Sequence, residues 1–161
     1  MVVIVMGVVG AGKTTVGKLL AEQLHFEFAD ADDFHPQANI EKISQGIALS
    51  DDDRKPWLER LQARILAWEA DRANAVLACS ALKRSYREEL KAGPDVYFVY
   101  LKGSANLIEQ RLDARHGHFA GASILTSQMA DLEEPDDAVT VDIDQTPSEI
   151  VAQIRQKLGL A

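Results

Sequence analysis

Cysteine is all but missing: Cys79 is the only one in 161 residues, so no intrachain disulfide can form. Its neighbours Val76, Leu77 and Ala78 are apolar, which reads as a buried strand residue rather than a nucleophile. Long hydrophobic runs are missing as well. The first apolar stretch, Val2 to Met6, has only the length of a strand and runs straight into a glycine-rich loop. The expectation is therefore neither a signal peptide nor a membrane span, and a cytoplasmic protein. Positive charge is scarce, with 17 Lys and Arg against 25 Asp and Glu and a net charge of −8. That balance works against a nucleic-acid backbone or an anionic membrane as partner and leaves a small molecule as the expected one. Low-complexity tracts and solenoid-spaced repeats are absent too. What is present, 47% apolar and 26% charged residues, is the usual balance of a globular chain, and its length suits one domain over 1–161 rather than two.

The most informative stretch is Gly7-Val8-Val9-Gly10-Ala11-Gly12-Lys13-Thr14. A glycine, four residues, then Gly-Lys-Thr, set between an apolar strand and a helical pattern from Thr14 to Leu24, is a phosphate-binding loop in its required context. Glycines let backbone N–H groups approach phosphate oxygens, and the following helix adds the positive end of its dipole. Lys13 then neutralises the outer phosphates, and the Thr14 hydroxyl completes the shell of a Mg²⁺ ion.

Phe26 to Ala29 alternates as a second strand ending at Asp30, followed by Asp30-Ala31-Asp32-Asp33. At the C-terminal edge of a parallel sheet these carboxylates should face the same crevice as the loop. A helical pattern through Ile40 and Ile43 follows His35-Pro36, and His35 either touches substrate or packs and caps. The next helix opens over Leu49-Ser50-Asp51-Asp52-Asp53-Arg54-Lys55-Pro56-Trp57, with an apolar face of Leu58, Leu61, Ile65 and Trp68. Its acids read as caps, whereas Arg54 has the fork that holds a carboxylate. Ala75 to Cys79 reads as a buried strand without a carboxylate at its end, so a metal-side acid has to come from Asp30 or Asp32.

Lys83, Arg84 and Arg87 put positive charge at that strand end, as an anion site or as a solvated helix face. After the strand Val96 to Leu101, Arg111 and Arg115 share a helix face, a spacing that an anion between them would relieve. Gly117-His118-Phe119-Ala120-Gly121 is written like a mobile flap, and Glu133 to Asp137 like an acidic turn with no chemical role. A last strand, Val139 to Ile143, and an amphipathic helix, Pro147 to Leu158, complete five strands alternating with helices, which is a parallel sheet covered on both faces.

Together these stretches resemble the small P-loop gluconokinase family. The resemblance rests on the Gly7 to Thr14 loop, His35-Pro36 with Asn39, Lys42 and Gly46, and Leu49 with Asp51 to Leu58. It continues through Cys79 to Lys83 with Tyr86-Arg87, Arg111-Leu112, Arg115, Gly117-His118-Phe119, Ser127-Gln128 and Leu132-Glu133. It implies an α/β three-layer P-loop kinase fold with a mobile lid at about 115–125, and ATP- and Mg²⁺-dependent phosphorylation of D-gluconate to 6-phospho-D-gluconate. Catalysis then falls to Lys13, Asp32 and Arg115, with Asp32 accepting the substrate proton. Nucleotide binding falls to Gly7, Val8, Val9, Gly10, Ala11, Gly12, Lys13, Thr14, Thr15 and Arg111, the last against adenine; the metal falls to Thr14 and Asp30. Asp32, His35, Arg54, Lys83 and Gln128 take the substrate, and a homodimer is implied. Ala31 stands where the family has glycine, His116 where Lys is frequent and Val9 where Ser is frequent. The alternatives are another small-metabolite kinase of this layout, for shikimate or a nucleotide, and a nucleotide-gated binding module without transfer chemistry. A GTPase is disfavoured because no Asn-Lys-x-Asp segment occurs.

Overall fold

A computed structural model describes residues 1–116 and 118–160, with side chains described for 1–114 and 124–160. Its centre is β1 (Val2–Met6), in which all five residues are buried. Successive strand side chains point to opposite faces, and β1 uses both. Val3 and Val5 pack under α1 (Lys13–Leu24), while Val2, Ile4 and Met6 pack under α3 (Asp51–Ala70). A strand enclosed on both faces has no polar side to display, which is why it reads as an unbroken apolar run.

The remaining strands are β2 (Glu27–Asp30), β3 (Ala75–Ala78), β4 (Val96–Lys102) and β5 (Val139–Asp142). They form one sheet in the order β2-β3-β1-β4-β5, every pairing parallel. β1 sits in the middle with Val5 opposite Ala78 on one side and Val99 on the other. The loops after β1, β2 and β3 therefore emerge side by side at one edge, the place where ligands bind in such sheets.

The first face is covered by α1, by α5 (Ala105–His116) and α6 (His118–Asp131) through Ile108, Leu112 and Leu125, and by α7 (Pro147–Lys157) through Ile150, Val151 and Ile154. The opposite face carries α3 and α4 (Arg84–Leu90), with Trp57, Leu61, Ile65, Trp68, Tyr86 and Leu90. Burying each large apolar side chain here contributes about 1.5–3 kcal/mol. The expected flap residues from His118 onward belong to α6, and Gly117 lies outside the described residues.

Capping fixes where helices begin at the functional edge. The Ser50 hydroxyl accepts from the Asp53 N–H while Asp53 returns a bond to the Ser50 N–H, which starts α3. Lys42 of α2 (Gln37–Ser44) also grips both Asp53 oxygens at 2.8 Å, and this ammonium holds the carboxyl down to about 2.

Arg87 corrects the expectation of a basic surface at the end of β3. It is 7% exposed, and its guanidinium donates to the carbonyls of Ala81, Leu82 and Glu133 at 2.8, 3.0 and 2.7 Å. Ala81 has φ 45, a left-handed conformation that a non-glycine residue holds only where its surroundings enforce it. The acidic turn after α6 is thus structural, since the Glu133 carbonyl takes Arg87 and its carboxylate takes the Arg84 N–H at 3.1 Å. Arg87→Leu strands the Ala81 and Glu133 carbonyls, while Leu82 keeps the Glu133 N–H at 2.8 Å, and is expected to lower stability by about 3 kcal/mol, read as a lower urea midpoint at unchanged m-value. An unchanged midpoint would contradict this role.

Candidate active site

The loop between β1 and α1 turns through two left-handed glycines, Gly10 at φ 80 and Gly12 at φ 95. A side chain at Gly10 would also meet Leu112 at 2.9 Å, so this position requires glycine on two counts. Val8 and Ala11 are buried beneath the loop, while Val9, Gly10, Gly12, Lys13, Thr14 and Thr15 line a cavity of about 830 Å³. Gly7 is not part of that wall. The Lys13 ammonium donates to the Val8 carbonyl at 3.0 Å. Burial pushes its pKa down, against the opposing pull of Asp32, Cys79 and Asp30.

The turn after β2 enters the same cavity. Asp30 caps the single 3-10 turn Ala31–Phe34 by accepting from the Asp32 N–H at 3.0 Å, and its other oxygen accepts from the Thr14 hydroxyl at 3.0 Å. Asp32 lines the cavity between this pair and His35. Burial raises the Asp32 pKa, neighbouring Asp30 raises it further, and Lys13 and His35 oppose. Ala31, where glycine was the family expectation, is 1% exposed with ordinary backbone, packs in the cluster of Trp57 and Leu58, and accepts from Trp57 Nε1 at 2.7 Å. Its methyl group faces the core, so replacing glycine here does not obstruct the cavity.

His35 also lines the cavity, packed against its neighbours with one ring edge available. Its ring stacks on Trp57 at 4.6 Å and 11°, and Nδ1 faces the Asn39 amide at 3.2 Å. Burial lowers its pKa, and an amide donor at Nδ1 leaves the proton of the neutral ring on Nε2. Asn39, 2% exposed, is in turn fixed by donating to the Asp53 carbonyl at 2.8 Å. Neither Trp57 nor Asn39 stands out in the sequence as a site residue; the aromatic after the helix-entrance proline is the available signal for Trp57.

Arg54 reaches the cavity from the first turn of α3, bound to the Tyr86 hydroxyl at 3.0 Å and to Asp131 at 3.5 Å. Gln128 of α6 lines the cavity and accepts from the Val9 N–H at 2.6 Å, a contact with the phosphate loop that sequence spacing does not suggest. Lys83 does not line the cavity: its ammonium is held by Asp51 at 2.9 Å. Arg111 is also outside it, donating to the Ile143 carbonyl at 2.6 Å. The Arg115 side chain lies outside the described residues, as do most side chains of the expected lid. Cys79 is buried at the cavity wall, and burial pushes its thiol up to about 12, as expected for a packing residue. Ile40, Ile43 and Ile47 complete an apolar wall, half exposed because they face the cavity rather than the core.

Hard oxygen donors at Thr14 and Asp30 fit Mg²⁺, which is held by a few protein oxygens together with phosphate and water. Among the described residues no group of three or more His, Cys, Asp or Glu forms a protein-only metal cage. Likewise no helix among them is long and apolar enough to cross a membrane.

Comparison with known proteins agrees with this geometry. The shikimate kinase family (SKI) matches residues 9–159. A thermoresistant gluconokinase from Escherichia coli K12 is 45% identical over 154 residues, covering 92% of this chain and 88% of that protein. A gluconokinase from Gluconobacter oxydans is 48% identical over 136 residues, covering 83% and 76%. The crystal structure of a gluconokinase from Sinorhizobium meliloti superposes with a TM-score of 0.88 at 42% identity, covering 98% of this chain and 90% of that one. With this loop, acidic turn and sheet, and with relatives this similar over most of its length, the chain belongs to the gluconokinase family of shikimate-kinase-type P-loop proteins.

Proposed function

We propose that this chain transfers the γ-phosphoryl group of ATP to a hydroxyl of D-gluconate, giving 6-phospho-D-gluconate and ADP. The observation that carries the reading is the meeting of the phosphate loop and the acidic turn at the Thr14–Asp30 contact, 3.0 Å, which puts Lys13 and Asp32 in one cavity with Arg54. Its relatives named as gluconokinases supply the acceptor.

In the reaction the substrate oxygen attacks phosphorus, the bond from phosphorus to the β,γ-bridging oxygen breaks, and the hydroxyl proton passes to the Asp32 carboxylate. Most of the rate gain comes from positioning and charge neutralisation. Loop N–H groups and Lys13 hold the β- and γ-phosphates, and Thr14 and Asp30 would hold a Mg²⁺ ion, whose charge would offset that of the phosphates. Arg54 takes the gluconate carboxylate, His35 Nε2 and Gln128 take hydroxyls, and Lys83 would join them by exchanging Asp51 for substrate. Arg111, tethered at Ile143, stacks on adenine by its planar face. Arg115, on a lid at about 115–125 within the single domain 1–161, closes on the transferring group and excludes water. Cytoplasmic operation and a homodimer belong to the same proposal.

A coupled ADP-release assay with gluconate, other sugar acids, shikimate and nucleoside monophosphates tests it. Gluconate-dependent release is the expected result. Release with shikimate or a nucleotide alone would move the assignment to that acceptor, and ATP binding without acceptor-dependent turnover would replace it with a binding module.

A further inference from the structure

Tyr86 lies on α4, is 6% exposed and does not line the cavity. Its ring packs with Trp57 and Leu58 against the sheet, and phenylalanine would pack there equally well. The hydroxyl is what packing leaves unexplained. Arg54 has only donors, so its Nη1 gives a hydrogen bond to the Tyr86 oxygen at 3.0 Å. The one hydroxyl proton is then directed to Asp51 Oδ1, which also accepts from Lys83 at 2.9 Å. Every direction in this relay is set by chemistry: Lys83 and Tyr86 both donate to Asp51, and Arg54 donates to Tyr86. The Arg54 guanidinium also lies 5.6 Å over the Tyr86 ring.

Arg54 is a long side chain that would lose considerable rotamer freedom on meeting a substrate. The relay removes that freedom beforehand through Nη1. Its other prong, Nη2, makes the longer 3.5 Å contact with Asp131 and is the one left to exchange for a ligand carboxylate. We infer that Tyr86 is a positioning residue for the reaction, its hydroxyl holding Arg54 in the orientation that receives the substrate carboxylate. The inference rests on the gluconate reading, in which Arg54 binds that carboxylate.

The test is steady-state kinetics on the wild type, Tyr86→Phe, Arg54→Ala and the Tyr86→Phe/Arg54→Ala double variant. Tyr86→Phe is expected to raise KM for gluconate about tenfold, with kcat and KM for ATP within about twofold, the size of losing one hydrogen bond to a charged group. The double variant should be no worse than Arg54→Ala alone, because the hydroxyl acts through the arginine. A Tyr86→Phe enzyme with unchanged KM for gluconate, or additive effects in the double variant, overturns the inference while leaving the gluconate reading in place. A wild type inactive on gluconate overturns that reading and this inference with it.

Discussion

Asp32→Asn is expected to lower kcat by about 10²–10⁴-fold while KM for gluconate and ATP stay within a few-fold. The asparagine keeps the size and hydrogen-bonding reach of the side chain and removes only its capacity to take a proton. The environment of Asp32 suits that role, since burial and the Asp30 charge raise its pKa while Lys13 and His35 keep the increase in check. A general base works only when ionised, so kcat/KM for the wild type should rise with pH as Asp32 ionises, and the Asn variant should lose that limb of the profile. The same shift has a stability consequence of opposite sign. Because the folded state holds the Asp32 proton more tightly than the unfolded chain does, the contribution of this residue to stability is complete at low pH and is lost as pH rises through its folded pKa. At neutral pH the ionised carboxylate therefore works against folding. Asp32→Asn should keep or raise the Tm while activity collapses, as expected where a group is retained for function. Unchanged turnover in the Asn variant would remove Asp32 from its role.

Lys13→Ala should lower kcat by about 10³-fold and also weaken ATP, because the group removed neutralises charge both in the bound triphosphate and as it develops during transfer. Lys13 is half-buried against the loop with its ammonium on the Val8 carbonyl, and desolvation without an anion disfavours its charge. Bound phosphate reverses that penalty, so part of the affinity for ATP is the relief of a desolvated ammonium. Isothermal titration with ATP and single-turnover kinetics separate the two losses. A Lys13→Ala enzyme that keeps wild-type ATP affinity would show that the cradle holds the nucleotide elsewhere.

Much of the scaffold is legible in the sequence because its signals are local. Val2 to Met6 and Ala75 to Ala78 are buried on both faces and so read as apolar runs, and Gly10 and Gly12 occupy backbone conformations that select glycine. The placing of Asp30 and Asp32 beside the loop is also legible, because parallel strands deliver their ends to one edge. What is not legible depends on contacts between distant parts of the chain. A basic residue at a helix start gives no sign that Arg87 turns inward to three carbonyls. The helical spacing of Ile40 and Ile43 reports a common face but not that it borders a cavity instead of the core. Ala31 raises a question of backbone access that only the Trp57 bond and the core packing of its methyl answer. The relay through Tyr86 joins Arg54 to a residue far along the chain, and no periodicity connects them.

The most direct measurement is a crystal structure of the complex with Mg²⁺, a non-hydrolysable ATP analogue and gluconate. The expected complex has the triphosphate along the amides from Gly10 to Thr14, the gluconate carboxylate on Arg54, and one gluconate hydroxyl about 2.6–3.2 Å from the Asp32 carboxylate and in line with the γ-phosphorus. Gluconate bound with its hydroxyls turned away from Asp32, or on the far side of the phosphates from the turn after β2, would contradict the mechanism.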